Sequence, residues 1–382
     1  MKEKIKKLLK STGFNIFLIV LFTCIVLYVS LSKRGDEIIP ILKNTSIIGL
    51  IGIICLMIID KMLLGYGLML ECKQSHPKYT WWQGFVNAYV AGLFNNITPG
   101  ASGGQVAQGY IFKKQGIPVS HSVGILWLDF IVYQSTMTIY VLILLILRFN
   151  YFYSNYSEFF LVVLLGFAVS SGIIVFLWLL AKSPRFYNWL TTTGINIGVK
   201  LHLIRDREKT IENLNQQLEA FSHEIVVLTL HKKMIVSLVI ITVIRLTIYY
   251  SIPFFCAKAL HIEVASSQLL NIIALSAFVS MINAFLPMPG SSGGTEAVFV
   301  LMFSTIFDVV DAASIMILWR SVTFYLTLII GTVVFLYAKT RPDIEGDTSI
   351  PRTYETEVLI EEGIEKSESG FLLIPFRRRS TV

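Results

Sequence analysis

Charge is scarce in this chain. Only 15% of its 382 residues are Asp, Glu, Lys or Arg, while 54% are hydrophobic. That balance excludes an ordinary soluble globule and places the chain among polytopic membrane proteins. Cysteine is scarce as well. Cys24, Cys55, Cys72 and Cys256 are dispersed, with no CxxC and no Cys/His cluster. Neither a zinc site nor a disulfide framework is indicated. The six histidines are scattered, and His121, beside the start of an apolar run, reads as a boundary residue rather than a ligand. There is no Walker loop, no GxSxG, no HExxH and no soluble domain with paired carboxylates. No metal or cofactor is expected. Transport by such a chain is downhill, or coupled to an ion or to the membrane potential. The net charge of +7 raises nucleic acid as a partner. The placement of the charges points to an anionic leaflet instead.

What the chain has in abundance is long apolar runs. A span needs roughly 20 residues to cross about 30 Å of hydrocarbon. Six runs qualify: Gly13–Ser32, Ser46–Leu70, Val119–Leu147, Glu158–Ala181, Met234–Ala257 and Ala312–Ala338. The basic N-terminus (Lys2, Lys4, Lys6, Lys7, Lys10) precedes a run that is long and lacks an A-x-A-like site. An uncleaved first span is therefore expected rather than a signal peptide. With the N-terminus inside, 24 of the 32 Lys and Arg fall on the inner side and five on the outer side. Both termini are then cytoplasmic. The expected organisation is a basic N-terminus (1–12), a first membrane half (13–181), a cytoplasmic connector (182–233), a second half (234–339) and a mostly disordered tail (340–382). In the connector, Ile211, Leu214, Leu218, Phe221 and Ile225 recur at helical spacing. That stripe suits an amphipathic helix on the membrane surface, with self-association into a homo-oligomer as the alternative.

Two further apolar regions, Trp81–Phe112 and Ser266–Phe307, are interrupted. The first is broken by Pro99-Gly100-Ala101-Ser102-Gly103-Gly104 and the second, 190 residues later, by Pro289-Gly290-Ser291-Ser292-Gly293-Gly294. A second match follows each copy: Ser122, Ile125, Leu126, Trp127 and Tyr133 return as Ser314, Ile317, Leu318, Trp319 and Tyr325. Irregular backbone at membrane depth survives only inside protein or along a cavity. The arm Ala101–Phe112 is too short to cross, so each region reads as a re-entrant helical hairpin. The first enters from the cytoplasm and the second from outside. The expected fold is all-α, with about six spans and two hairpins in an inverted repeat of transporter type.

Ionisable residues inside a membrane are expensive and face a bundle interior or a wet cavity. By helix rise, Asp60, Asp129, Arg245 and Arg320 all lie near the midplane. Lys61 adjoins Asp60 but points about 100° away around the helix, so it need not share its partner. Glu296 opens the half-helix after the second break. These charges either form structural ion pairs, for example Asp129 with Arg320, or line a polar pathway. The glycines at the breaks allow close backbone approach, and free N–H groups at a half-helix start suit an anion. Asn95, Asn96, Thr98, Ser102 and Gln105 add neutral polar groups at the first break, and Ser291, Ser292 and Thr295 at the second. Arg245 and Arg320 would hold a phosphate. Asp60, Asp129 and Glu296 would balance them or accept an amino group.

The pattern Asn96-x-Thr98-Pro99-Gly100-x-Ser102-Gly103-Gly104-Gln105, with Asp129 in the next span, resembles the transmembrane region of lysylphosphatidylglycerol synthases. So does Leu286-Pro287-x-Pro289-Gly290-x-x-Gly293-Gly294-x-Glu296, with Arg320 after it. The resemblance covers roughly residues 10–340. It implies a flippase region in a bacterial plasma membrane, acting on an aminoacylated or glycosylated lipid, with a role in resistance to cationic peptides. Full-length relatives carry a cytoplasmic synthase domain that transfers lysine from lysyl-tRNA to phosphatidylglycerol. Only 44 residues follow the last expected span here. Lysyl transfer is therefore not expected of this chain unless a separate aminoacyl- or glycosyltransferase works with it. A partner-dependent lysyltransferase component, a DedA-like transporter and a non-transporting scaffold remain as alternatives.

Overall fold

A computed structural model of the protein describes residues 36–98, 101–149, 230–283 and 293–344, with isolated residues between 167 and 193. Every regular element among the described residues is helical. The first half contains α1 (Ile47–Ser75), α2 (Trp81–Ile97), α3 (Gly103–Lys114) and α4 (Val119–Leu147). The second contains α5 (Lys232–Ala259), α6 (Leu269–Asn283), α7 (Gly294–Phe303), α8 (Val309–Arg320) and α9 (Leu326–Thr340). A π-helical turn, Ser321–Tyr325, joins α8 to α9. The expected span Gly13–Ser32, most of Glu158–Ala181 and of the connector, and nearly all of the tail lie outside the described residues.

Local chemistry sets the helix ends. Ser46 caps α1 by accepting from the Gly49 N–H at 3.3 Å. Thr80 opens α2 with a reciprocal capping box to Gln83. α1 stops at His76, directly before Pro77, which cannot continue a helix.

Four stretches are long and apolar enough to cross a membrane: Ile47–Ser75, His121–Leu147, Lys232–Ala259 and Val309–Thr340. They match the expected second, third, fifth and sixth spans. Their outer faces carry large apolar side chains such as Ile48, Ile51, Ile146 and Ile329. In water that exposure would be unfavourable; against lipid tails it is neutral or favourable. One boundary is corrected. The expected second span ends at Leu70, but α1 continues to Ser75 and carries Glu71 into the fully buried interior.

Each half is ordered helix, broken helix pair, helix, and the halves interlock. α1 and α5 run antiparallel. The Ser46 N–H at the start of α1 donates to the Ala259 carbonyl at the end of α5 (2.8 Å), and Gly67 near the end of α1 meets Leu238 near the start of α5. The closing helix of each half packs on the broken pair of the other: α9 on α2, and α4 on α6. Glycine permits the closest of these approaches. Gly331 of α9 lies against Leu93 and the Tyr89 carbonyl of α2. In the first half, Gly65 of α1 and Gly84 of α2 bring their backbones into direct contact.

Candidate functional site: buried ion pairs in the helix bundle

Asp60 and Arg245 are each the fourteenth residue of their helix, α1 and α5. Because those helices cross antiparallel, the two positions meet. Arg245 Nε donates to Asp60 Oδ1 at 3.0 Å, and Lys61 Nζ binds Asp60 Oδ2 at 3.0 Å. Asp60 is 2% exposed. Lys61 thus pairs with Asp60 itself rather than with Asp60's other partner, Arg245. A lone ammonium at this depth would be uncompensated. Asp129 and Tyr133 of α4 complete the cluster, both acting electrostatically on Arg245.

The second cluster lies in the second half. Arg320, the last residue of α8, donates from Nε to Glu296 Oε1 at 2.8 Å. Both are buried. Its guanidinium also lies over the Phe324 ring, 4.5 Å from the centroid, a cation–π arrangement. Trp319 stacks on Phe299, which stacks on Phe303, and this wall holds α7 against α8. The expected pairing of Asp129 with Arg320 is thus corrected: Arg320 is held by Glu296, and Asp129 faces Arg245. Sequence spacing located all four groups near one depth but not their partners, which depend on how α4 and α8 are rotated. The π turn immediately after Arg320 is a feature that recurs at functional sites, and no sequence signal marked it.

The helix breaks also differ from expectation in one respect. Their N-termini are not free. In the first, the Gly103 N–H donates to Thr98 Oγ1 (2.8 Å) and the Gly104 N–H to Asn95 Oδ1 (3.0 Å). In the second, the Gly293 N–H donates to Glu296 Oε2 at 2.6 Å. The chain's own oxygens thus occupy several of the donors that an incoming anion would use. Gly293 has φ 90°, a conformation that glycine adopts without strain, and Gly294 begins α7 directly after it. Asn96 reaches across the halves, its Nδ2 donating to the Phe324 carbonyl at 3.5 Å, beside Arg320. Ser102, the N-cap of α3, and Gln105 in its first turn are both exposed, at the end of α3 that adjoins the break. Pro99, Gly100, Pro289 and Gly290 lie outside the described residues.

Asn95 is a direct test of this self-capping. Asn95→Ala is expected to cost about 1 kcal/mol through the orphaned Gly104 N–H. Asn95→Asp, which keeps the acceptor, should lose less. Thermal unfolding in detergent of both variants checks the ordering.

A cavity of about 330 Å³ lies apart from these clusters, between Trp82, Lys114 and Gln115 at the ends of α2 and α3 and Tyr337 and Arg341 at the end of α9. Tyr337 is ~25 Å along the last span from Arg320 by helix rise. Its basic and aromatic lining has the character of a membrane-interface position.

An all-helical bundle with four long apolar spans and buried ion pairs among its described residues defines an integral membrane protein. The particular family is shown by a family model described as the lysylphosphatidylglycerol synthase TM region, which matches residues 15–331. The chain belongs to that family. No curated protein matches it.

Proposed function

We propose that this chain is a lipid translocase of the bacterial plasma membrane, with both termini cytoplasmic, moving an anionic lipid that carries an aminoacyl or glycosyl head group. The observation that carries this reading is the Arg320–Glu296 pair at the start of a broken helix. Glu296 already satisfies a helix-start N–H and an arginine, the two donors that recognise a phosphate. A lipid phosphate competes for both. Once displaced, the Glu296 carboxylate is available to a head-group amine. Arg245, with Asp60 and Asp129, offers a second phosphate position in the neighbouring cluster. The two broken regions act as re-entrant hairpins, so the head group passes protein rather than hydrocarbon.

The test is a leaflet assay on reconstituted vesicles with fluorescent lysylphosphatidylglycerol, phosphatidylglycerol and a glycolipid. Movement of one of them is expected, reduced at least tenfold in Arg245→Ala. Well-folded protein that moves none of the three overturns the proposal. The family's synthase name favours one second reading, the membrane component of a phosphatidylglycerol lysyltransferase. Lysyl transfer from lysyl-tRNA that appears only when a soluble synthase and this chain are combined would establish it.

A further inference from the structure

Glu71 has no role in the pairs described above. It lies on α1 eleven residues beyond Asp60, which is about 20° of rotation and ~16 Å of rise, so both acids share one face of the helix. Its side chain is 0% exposed, and neither carboxylate oxygen has a hydrogen-bond partner. Its neighbours on α1, Leu68 and Cys72, belong to an apolar cluster with Ile125, Leu128 and Val132 of α4 and Met234 and Leu238 of α5.

The charged group that acts on Glu71 is another acid, Asp129 of α4. From the start of α5, Lys232 and Lys233 are exposed, and the α5 residues in the cluster are apolar. On the cytoplasmic side assigned by the charge pattern, His76 at the end of α1 meets His121 of α4, with rings edge-on at 5.4 Å. Burial first, and His121 second, pull the His76 imidazole down to about 4, so it is neutral near pH 7.

A charge balance isolates the same residue. Three acids of the described helices are buried: Asp60, Glu71 and Glu296. Lys61 and Arg245 both bind Asp60, Arg245 also acts on the half-buried Asp129, and Arg320 binds Glu296. Glu71 is the acid left over. An ionised carboxylate in such a place is prohibitively costly unless it is paired, and the group takes up a proton instead.

We propose that Glu71 is a proton-binding site, reached from the cytoplasm past His76 and His121, and that its proton is exchanged toward Asp129 as the lipid crosses. The coupling rests on the translocase reading; the proton site does not. Releasing the proton leaves a second carboxylate within electrostatic reach of Asp129, whose own charge is the one that Arg245 offsets. That charge is relieved either by reprotonation or by a rearrangement of α1 against α4, which is how proton binding would bias the bundle.

Two measurements test this. First, infrared titration of the purified protein in nanodiscs is expected to show a protonated-carboxyl band at neutral pH that is absent in Glu71→Gln and kept in Glu71→Asp. Spectra of wild type and Glu71→Gln that superimpose overturn the site, whether or not any lipid moves. Second, one proton carried per lipid makes a gradient of about one pH unit shift the steady-state leaflet ratio about tenfold. Glu71→Gln should respond less than about twofold. A wild-type protein that moves lipid indifferently to the pH gradient, or that follows a sodium gradient instead, overturns the coupling.

Discussion

Replacing Arg320 by alanine is expected to destabilise the protein by about 3–5 kcal/mol, because it strands a buried carboxylate. Glu296 is 4% exposed and its Oε1 accepts from Arg320. The cost comes from the charge left behind more than from the lost attraction. The double variant Arg320→Met with Glu296→Leu should therefore recover most of the loss, since an apolar pair of similar volume often matches a buried ion pair. Leu in place of Glu296 also removes the acceptor of the Gly293 N–H, so recovery should fall short by about 1 kcal/mol. Thermal midpoints in detergent of the single and double variants measure this. If Arg320→Ala is as stable as wild type, the pair is not the buried ion pair described. Lipid movement separates structure from function. A double variant that folds and does not move lipid assigns the pair to translocation. One that folds and moves lipid at the normal rate assigns it to architecture alone.

Gly84→Ala is expected to have a comparable structural effect by an unrelated route. A Cβ at Gly84 would fall onto the Gly65 carbonyl oxygen, and one at Gly65 onto the backbone of Phe85. Backbone on both sides cannot swing aside as a flexible side chain can. α1 and α2 must separate, and overpacking of this kind costs about 1–3 kcal/mol, occasionally more. We expect the upper end of that range. The loss should be accompanied by weaker Arg245–Asp60 pairing, since α1 carries Asp60. Gly52→Ala in the same helix is the control. A Cβ there meets nothing within 4 Å. That substitution should leave stability unchanged or raise it by up to about 1 kcal/mol through helix propensity. Equal midpoints for the two variants would show that the α1–α2 contact is not tight.

Much of this molecule was legible from sequence because the bilayer imposes a coarse and severe rule. Apolar length marked Ser46–Leu70, Val119–Leu147, Met234–Ala257 and Ala312–Ala338, and the helices found there agree to within a few residues. The Pro-Gly copies marked both helix breaks, because those residue types cannot continue a helix cheaply. Glu71 escaped notice for a physical reason: in sequence it reads as the first polar residue of a loop. Whether the helix continues through it depends on what packs around it, here the apolar cluster between α4 and α5.

By itself, then, the sequence determined that the chain is helical, placed the four long apolar helices now described, and marked Asp60, Asp129, Arg245, Glu296 and Arg320 as too costly at that depth to be incidental. Only the tertiary structure decided which charge meets which. Helix rise gives depth, but pairing depends on rotation and crossing, which are set by contacts distant in the chain such as Gly65 on Gly84 and Ser46 on Ala259. Those contacts place Arg245 on Asp60, turn Glu296 to Arg320 and leave Glu71 without a partner.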